Sequence, residues 1–292
     1  MKKSFGIIGP GNIGKIHARI FKQLDCQLTC ILINKEAITK NTFEYFESLY
    51  CQPPKIISEE SEFFSQNLDF IVIASPIDTH FDYLVKCLDL QIPVLCEKPL
   101  IAAKNLENFK QKVAKIKSYN GRFLVNTANT IFIDEIKRRL TLENTSKFCF
   151  SFHTHGKHKG LSIAIDLLPH ATALMTSAFG YEGKISGLKS QISESNYKTK
   201  FSYSGKEISF DFKEKSSAQK KMTLAFDDQV FERQVSGTEE TYKVNFINKS
   251  KGISFETNDP FFIYAKKFLR HEFQTATDLK NLELNGEILF NG

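Results

Sequence analysis

The sequence predicts an α/β protein: a doubly wound parallel sheet first, then an α+β region on an open, mostly antiparallel sheet. Three observations carry this expectation. Over about the first 125 residues, short apolar runs alternate with amphipathic helical segments in repeated β-α-β order. The run FIVIAS is apolar throughout, as a parallel strand covered on both faces should be. After residue 180, helices give way to successive strands separated by turn signals.

Each element has its own local reason. SFGIIG (4–9) is a short apolar strand ending in glycine. IGKIHARIFKQL (13–24) has helical spacing, with Ile13, Ile16, Ile20 and Leu24 on one face. CQLTCILI (26–33), KIIS (55–58) and DFIVIAS (69–75) are the next three strands. DTHFDYLVKCLDL (78–90) is a helix with Asp78 at its N-cap. PVLC (93–96) is the fifth strand. NLENFKQKVAKIKSYNG (105–121) is a lysine-rich helix closed by Gly121 at C′, and RFLVN (122–126) is the sixth strand. This first region, 1–122, reads as a dinucleotide-binding domain.

The remainder, 123–292, reads as an α+β domain for substrate binding and oligomerisation. IFIDEIKRRL (131–140) is a helix, KFCFSFH (147–153) alternates like a strand, and AIDLLPHATALMTSAFG (164–180) is a helix ending at Gly180. From Lys184 to Asn248 the strands follow one another as a meander. DPFFIYAKKFLRHEFQTA (259–276) is the final helix.

Composition removes several function classes. The net charge of +6 is spread along 292 residues, and the densest cluster is only AQKKM, so a nucleic-acid partner is not expected. No stretch approaches the ~18 apolar residues of a membrane span. The N-terminus MKKSFGIIG lacks the apolar core and cleavage site of a signal peptide, which points to a cytoplasmic protein. The six cysteines show no C-x-x-C pair and read as reduced core residues. With 27 phenylalanines and no tryptophan, phenylalanine should fill much of the core.

The first chemical motif is Gly9-Pro10-Gly11-Asn12-Ile13-Gly14, a G-x-G-x-x-G between a strand and a helix. Gly9 allows the tight turn, Gly11 admits a pyrophosphate close to the backbone, and Gly14 lets helix and strand pack. The helix N-terminus offers N–H groups to phosphates. At the end of the second strand, where an acid commonly binds the ribose, Asn34 is followed by Lys35. Asparagine does not repel a 2′-phosphate and Lys35 attracts one, so the pair tilts the cofactor from NAD toward NADP. Glu36 is the rival for the ribose.

The second motif is VLCEKPL (94–100). It places Glu97, Lys98 and Pro99 at the carboxyl end of the fifth strand, the edge where α/β sheets bind ligands. Ala74-Ser75-Pro76, His80 and Val94 to Leu100, together with the glycine loop, resemble the signature of the Gfo/Idh/MocA oxidoreductases. These are the relatives of glucose–fructose oxidoreductase and inositol dehydrogenase. The resemblance covers about the first 125 residues and implies a Rossmann-type domain. It also implies a nicotinamide cofactor contacted by Gly9, Gly11, Asn12, Ile13, Gly14, Asn34, Lys35, Ser75, Pro76, His80, Glu97 and Lys98. His17 and His80 themselves read as buried, hydrogen-bonded side chains. Glu97 reads as a loop anchor.

The resemblance further implies an Asp-x-x-x-His in the second domain, matched by Asp166 and His170. A spacing of four puts both on one helix face, and Asp166 at an N-cap would leave Pro169 in the first turn. By the resemblance His170 is the general base, Lys98 polarises the substrate oxygen, and Asp166 positions substrate or histidine. The substrate expected is a secondary alcohol or ketone of a sugar, polyol or sugar nucleotide. The alternatives are a cofactor-binding sensor or scaffold without turnover, and a reductase of imine-type substrates.

The chain departs from the family at several points. Ala171 and Ala173 stand where relatives often continue with an acid, and NTANTIFI lacks their arginine. The chain also ends soon after the predicted last helix, where many relatives carry another. Cys149, His153, His155 and His158 are close in sequence, yet no metal is expected from them. The open sheet of the second domain is expected to pack in a homodimer or homotetramer.

Overall fold

The computed structural model describes residues 2–34, 40–103, 105–119, 121–216, 220–238 and 242–292. The chain divides into two compact units. Unit 1 holds residues 1–126 and 261–276, and unit 2 holds 127–260 and 277–292.

Unit 1 contains a six-stranded parallel sheet in the order β3-β2-β1-β4-β5-β6. The strands are β1 Ser4–Ile8, β2 Gln27–Leu32, β3 Lys55–Ile57, β4 Phe70–Ile73, β5 Val94–Cys96 and β6 Phe123–Val125. β4, β5 and β6 are buried throughout, which accounts for their uninterrupted apolar sequence. The helices are α1 Asn12–Gln23, α2 Lys40–Leu49, α3 Glu60–Phe64, α4 His80–Asp89, α5 Leu106–Lys117 and α8 Pro260–Leu269. Residue 260 itself belongs to unit 2; α8 from Phe261 onward returns to unit 1. There Phe268 completes an aromatic cluster with Phe5, Phe21 and Phe70, the Phe70 and Phe268 ring centroids 5.3 Å apart. Truncating one such buried ring costs about 3–5 kcal/mol.

Several local expectations change here. The buried face of α1 is Gly14, His17, Ala18, Ile20 and Phe21, while Ile13 is exposed. The helix is rotated because glycine, alanine and histidine also pack inward. Asp78 does not cap α4: Thr79 holds the N-cap position, and its hydroxyl donates to the Pro76 carbonyl. Gly121 is not the C′ residue of α5, which ends at Lys117 with Ser118 as its C-cap. It is glycine for space, since a Cβ there would lie 2.1 Å from Leu88 Cδ2. Lys35 and Glu36 lie outside the described residues.

Unit 2 is built on an eight-stranded mixed sheet, β14-β13-β12-β11-β7-β10-β9-β8. The strands are β7 Lys147–Thr154, β8 Ile185–Ile192, β9 Asn196–Tyr203, β10 Lys206–Glu214, β11 Lys221–Phe226, β12 Gln229–Ser236, β13 Lys243–Asn248 and β14 Ile253–Asn258. The meander is interrupted: β7 inserts between β10 and β11, parallel to the former and antiparallel to the latter. Burial alternates along β9, β10 and β11, so one face of the sheet is covered. The core there includes Phe148, Phe150, Phe210 and Phe212 beneath α6 Ile131–Lys137 and α7 Leu161–Phe179. Phenylalanine fills both cores.

The long helix α7 begins at Leu161, behind Gly160 at φ +57°, and ends at Gly180 as expected. Asp166 is therefore not an N-cap, and Pro169 sits in the helix interior rather than its first turn. This 19-residue helix has a mean hydropathy of 1.2 over an 18-residue window, enough by length and composition to cross a membrane, contrary to the sequence expectation. Most of that window is buried within the protein, because α7 is the central core helix of unit 2. A final helix, α9 Thr275–Asn291, follows where the sequence reading saw none. Its Asn281 and Asn285 meet α7 through buried hydrogen bonds from Thr176 and Thr172, at 2.7 and 2.8 Å.

Candidate functional site

The parallel register aligns the carboxyl ends of the unit 1 strands. Leu32, Ile8, Ile73, Cys96 and Val125 are successive partners across the sheet. The next residues of each strand therefore emerge along one edge: Ile33 and Asn34, Gly9, Ala74 and Ser75, Glu97 and Lys98, and Asn126. The neighbours β1 and β4 mark the point where the strand order reverses, the place at which such sheets bind ligands.

At that point the glycine loop has the geometry a dinucleotide needs. Gly9 adopts φ +91°, and a Cβ on it would lie 2.5 Å from Ser75 Cα. A Cβ on Gly14 would lie 2.2 Å from the Gly9 carbonyl oxygen. Nothing lies within 4 Å of a Cβ on Gly11, so the space above that residue is open. Gly11 is the N-cap of α1 and brings no side-chain cap, leaving the first N–H groups, from Asn12 to Gly14, to a ligand.

A cleft of ≈ 800 Å³ opens along the same edge, lined by Gly9, Gly11, Asn34, Ser58, Ser75 and Tyr83 among others. Asn34 is exposed at its rim. Glu60, missed in the sequence reading, also lines the cleft, its carboxylate accepting from Lys86 at 2.7 Å and Tyr83 at 3.2 Å. The lysine's hydrogen bond holds the Glu60 carboxyl below the usual value against a smaller desolvation effect. The glycine turn, the open N-terminus and the cleft together fit a dinucleotide.

Lys98 follows β5 and is half-buried, in a cis peptide bond with Pro99. Its neighbour Glu97 is buried, with Oε1 accepting from His17 Nε2 at 2.6 Å and from Asn126 Nδ2 at 2.5 Å. Burial alone would raise the Glu97 carboxyl. The hydrogen bond and charge of His17, the Asn126 amide and the Lys98 ammonium outweigh it and hold the group below its ordinary value. On the other side of Lys98, His80 Nδ1 lies 2.8 Å from the Pro99 oxygen and Nε2 lies 2.8 Å from the Ser75 oxygen. Both histidines are buried and hydrogen-bonded, as expected.

In unit 2, Asp166 and His170 share one face of α7, four residues apart and both half-buried. Sequence reasoning overlooked Asn129, whose amide Nδ2 lies 3.3 Å from His170 Nδ1. It belongs to NTANTIFI, the segment noted only for its missing arginine. Phe152 packs edge-on against the imidazole at 5.9 Å. Ala171 and Ala173 are buried, so an acid at either place would enter the core.

Asp166 also meets a second group. Ligand atoms of His158, Asp166 and Glu214 lie within 4.8 Å of one another, and the His158 N–H donates to Glu214 Oε2 at 2.8 Å. Gly156 makes room for that carboxylate, since a Cβ there would overlap it. Cys149 and His153 turn to other partners, Ser209 and Ser151.

Residues 3–127 match the model of the Gfo/Idh/MocA oxidoreductase family, NAD-binding Rossmann fold. Over these residues, less than half of the chain, the protein is similar to that family's Rossmann domain. A myo-inositol 2-dehydrogenase of Thermotoga maritima is 30% identical over 98 residues, 32% of this chain and 28% of that relative's length. The chain thus aligns with less than a third of that relative. Among solved structures, the UDP-N-acetylglucosamine 3-dehydrogenase of Acidithiobacillus ferrooxidans superposes at a TM-score of 0.72 with 13% identity, covering 99% of this chain and 97% of that one. A 3-ketoreductase of Actinomadura kijaniata, solved with TDP-benzene and NADP, superposes at 0.71 with 12% identity over 99% and 97% of the two chains. The likeness to these two structures spans both units and is one of fold.

Proposed function

We propose that this protein is an NAD(P)-dependent oxidoreductase acting on a secondary alcohol or ketone of a sugar, polyol or sugar nucleotide. The observation that carries the reading is the shared edge of the parallel sheet. There an open glycine loop at the N-terminus of α1 and a lysine held at the end of β5 lie two strands apart, roughly 10 Å. The substrate class follows the relatives just described, which act on inositol and sugar nucleotides by name.

The nicotinamide, when bound, supplies hydride acceptance or donation. Lys98 places a positive donor against the substrate oxygen and stabilises the charge that develops on it. His170 exchanges the hydroxyl proton. Asn129, placed against Nδ1, orients the imidazole. Asp166, on the same helix face, orients the substrate or the imidazole. We assign the cofactor preference to NADP, because Asn34 at the rim carries no charge against a 2′-phosphate.

Titration with NADH and NADPH, followed by nicotinamide fluorescence, tests the cofactor reading. A folded protein that binds neither refutes it. Turnover with myo-inositol and UDP-N-acetylglucosamine, compared among wild type, Lys98→Ala and His170→Ala, tests the site. Activity that survives both changes refutes the assignment. A second reading, a cofactor-binding sensor or scaffold, is favoured by the apolar Ala171 and Ala173 where relatives often carry an acid. It predicts binding without turnover. We further propose that unit 2 forms a homo-oligomer through its sheet, where Ile192, Val230 and Val235 are each about half exposed. Light scattering that returns a monomer would contradict this.

A further inference from the structure

We propose that His17 and Glu97 form a positioning pair for Lys98, with His80 as its counterpart on the far side of the lysine. The inference rests on the reading of Lys98 as the group that meets the substrate oxygen. A lysine side chain has four rotatable carbon–carbon bonds and a compact ammonium, so its own packing constrains it poorly. The backbone that carries it therefore contributes to where the ammonium sits.

Here both flanking residues are fixed. The Glu97 N–H donates to the Ile73 carbonyl at 2.8 Å, continuing the ladder from β5 to β4. Its carboxylate takes two donors on one oxygen, His17 from α1 and Asn126 from the end of β6. Asn126 is held in turn by its own N–H to the Cys96 carbonyl at 2.7 Å. His17, Glu97 and Asn126 are 2, 7 and 3% exposed, so bulk water does not compete for these bonds. On the other flank the Pro99 carbonyl meets His80, which also reaches the Ser75 carbonyl of the neighbouring strand end. Lys98 is the half-buried residue between two immobilised ones.

The bland alternative is that the pair only holds the fold together. A buried carboxylate held by polar partners is a poor device for that purpose, since apolar residues of similar volume do as well or better. What it does provide is direction. His17 Nδ1 has no acceptor among the described residues, so Nε2 is the nitrogen that donates to Glu97. The pair therefore ties α1, the helix that opens at the glycine loop, to the residue immediately before Lys98.

Trace acetylation with acetic anhydride, read by peptide mass spectrometry on the full chain, tests this without substrate or cofactor. Lys110, exposed on α5, is the internal reference. In His17→Ala, which keeps the Glu97 charge, the Lys98 rate relative to Lys110 should rise about threefold or more, as the backbone that carries the flexible lysine loosens. His17→Gln, which keeps a donor toward Glu97, should restore much of the wild-type ratio. A merely structural pair would lower the melting temperature and leave the ratio unchanged, and that result overturns the proposal. Asn126→Ala, which removes the second donor to Glu97 and leaves its charge in place, should raise the ratio in the same way and keeps the test valid if His17→Ala does not fold. Failure of the oxidoreductase reading would be seen separately, as absence of NADH and NADPH binding in wild type.

Discussion

Gly11 and Gly14 share one motif, yet the structure assigns them opposite sensitivities. Gly14→Ala puts a methyl 2.2 Å from the Gly9 carbonyl oxygen, which must retreat by about 1.2 Å to reach ordinary contact at 3.4 Å. The atom in the way is backbone, so the phosphate loop itself moves. Overpacking of this kind costs about 1–3 kcal/mol, and alanine's helix propensity returns about 1 kcal/mol. The net loss of stability should be about 0–2 kcal/mol. Displacing one N–H from a charged phosphate removes about 1.5–3 kcal/mol of binding, or roughly 10- to 150-fold in Kd. Gly11→Ala meets nothing within 4 Å, so its melting temperature should match wild type. Its methyl projects into the space a pyrophosphate would fill, and NADH affinity should still fall. Thermal melts and fluorescence titrations of the two variants separate these effects. If Gly14→Ala binds NADH and NADPH as wild type does, the assignment of this loop to the phosphates is wrong. If Gly11→Ala is strongly destabilised, the account of the open cradle is wrong.

Three further outcomes follow from the same contacts. Burial pushes the Cys26 thiol up to about 11 and the Cys30 and Cys87 thiols up to about 12, while Cys51 is exposed. Native protein treated with an aromatic disulfide reagent should therefore lose Cys51 first, with Cys26, Cys30 and Cys87 reacting only on unfolding. The Glu97 carboxyl is held below its ordinary 4.5, so its stabilisation is complete above that pH and is lost as pH falls through the lowered value. Urea unfolding across about pH 3 to 5 should show a shallower acid limb in Glu97→Gln than in wild type. Asn285→Ala removes the α9 partner of the buried Thr172 hydroxyl, which can still donate to the Leu168 carbonyl at 3.1 Å, and should cost about 0.5–1.5 kcal/mol. A calorimetric melt within half a degree of wild type would remove that bond from the account.

The first sheet was legible because each strand is an apolar run closed by a turn and followed by a helix. The candidate cofactor loop was legible for the same reason. What escaped reading was non-local. β7 pairs with β10 and β11, more than fifty residues on, and no local signal announces a strand in that gap. α9 was missed because Asn281, Asn285 and Gly286 face inward, which erases the apolar stripe of an ordinary surface helix. The start of α7 was misplaced because an aspartate three residues before a proline imitates a helix entrance, whereas the actual N-cap is a glycine in a left-handed conformation. Asn129 lies in a short 3-10 turn, Ala128–Thr130, and only the fold brings it to His170. His17 and Glu97 stand eighty residues apart, and their pairing depends on α1 packing against β1 and β4.

The return of residues 261–276 to unit 1 gives this protein an unusual order of synthesis and assembly. The Phe21 and Phe70 rings lack their Phe268 neighbour until residue 268 has left the ribosome. The amino-terminal segment therefore waits, with an unfinished apolar surface, through the translation of all the intervening strands. At about 5–20 residues per second, that delay is on the order of ten seconds or more. A fragment ending near residue 126 should refold with an exposed aromatic patch and aggregate, and adding back a peptide of residues 260–276 should suppress it.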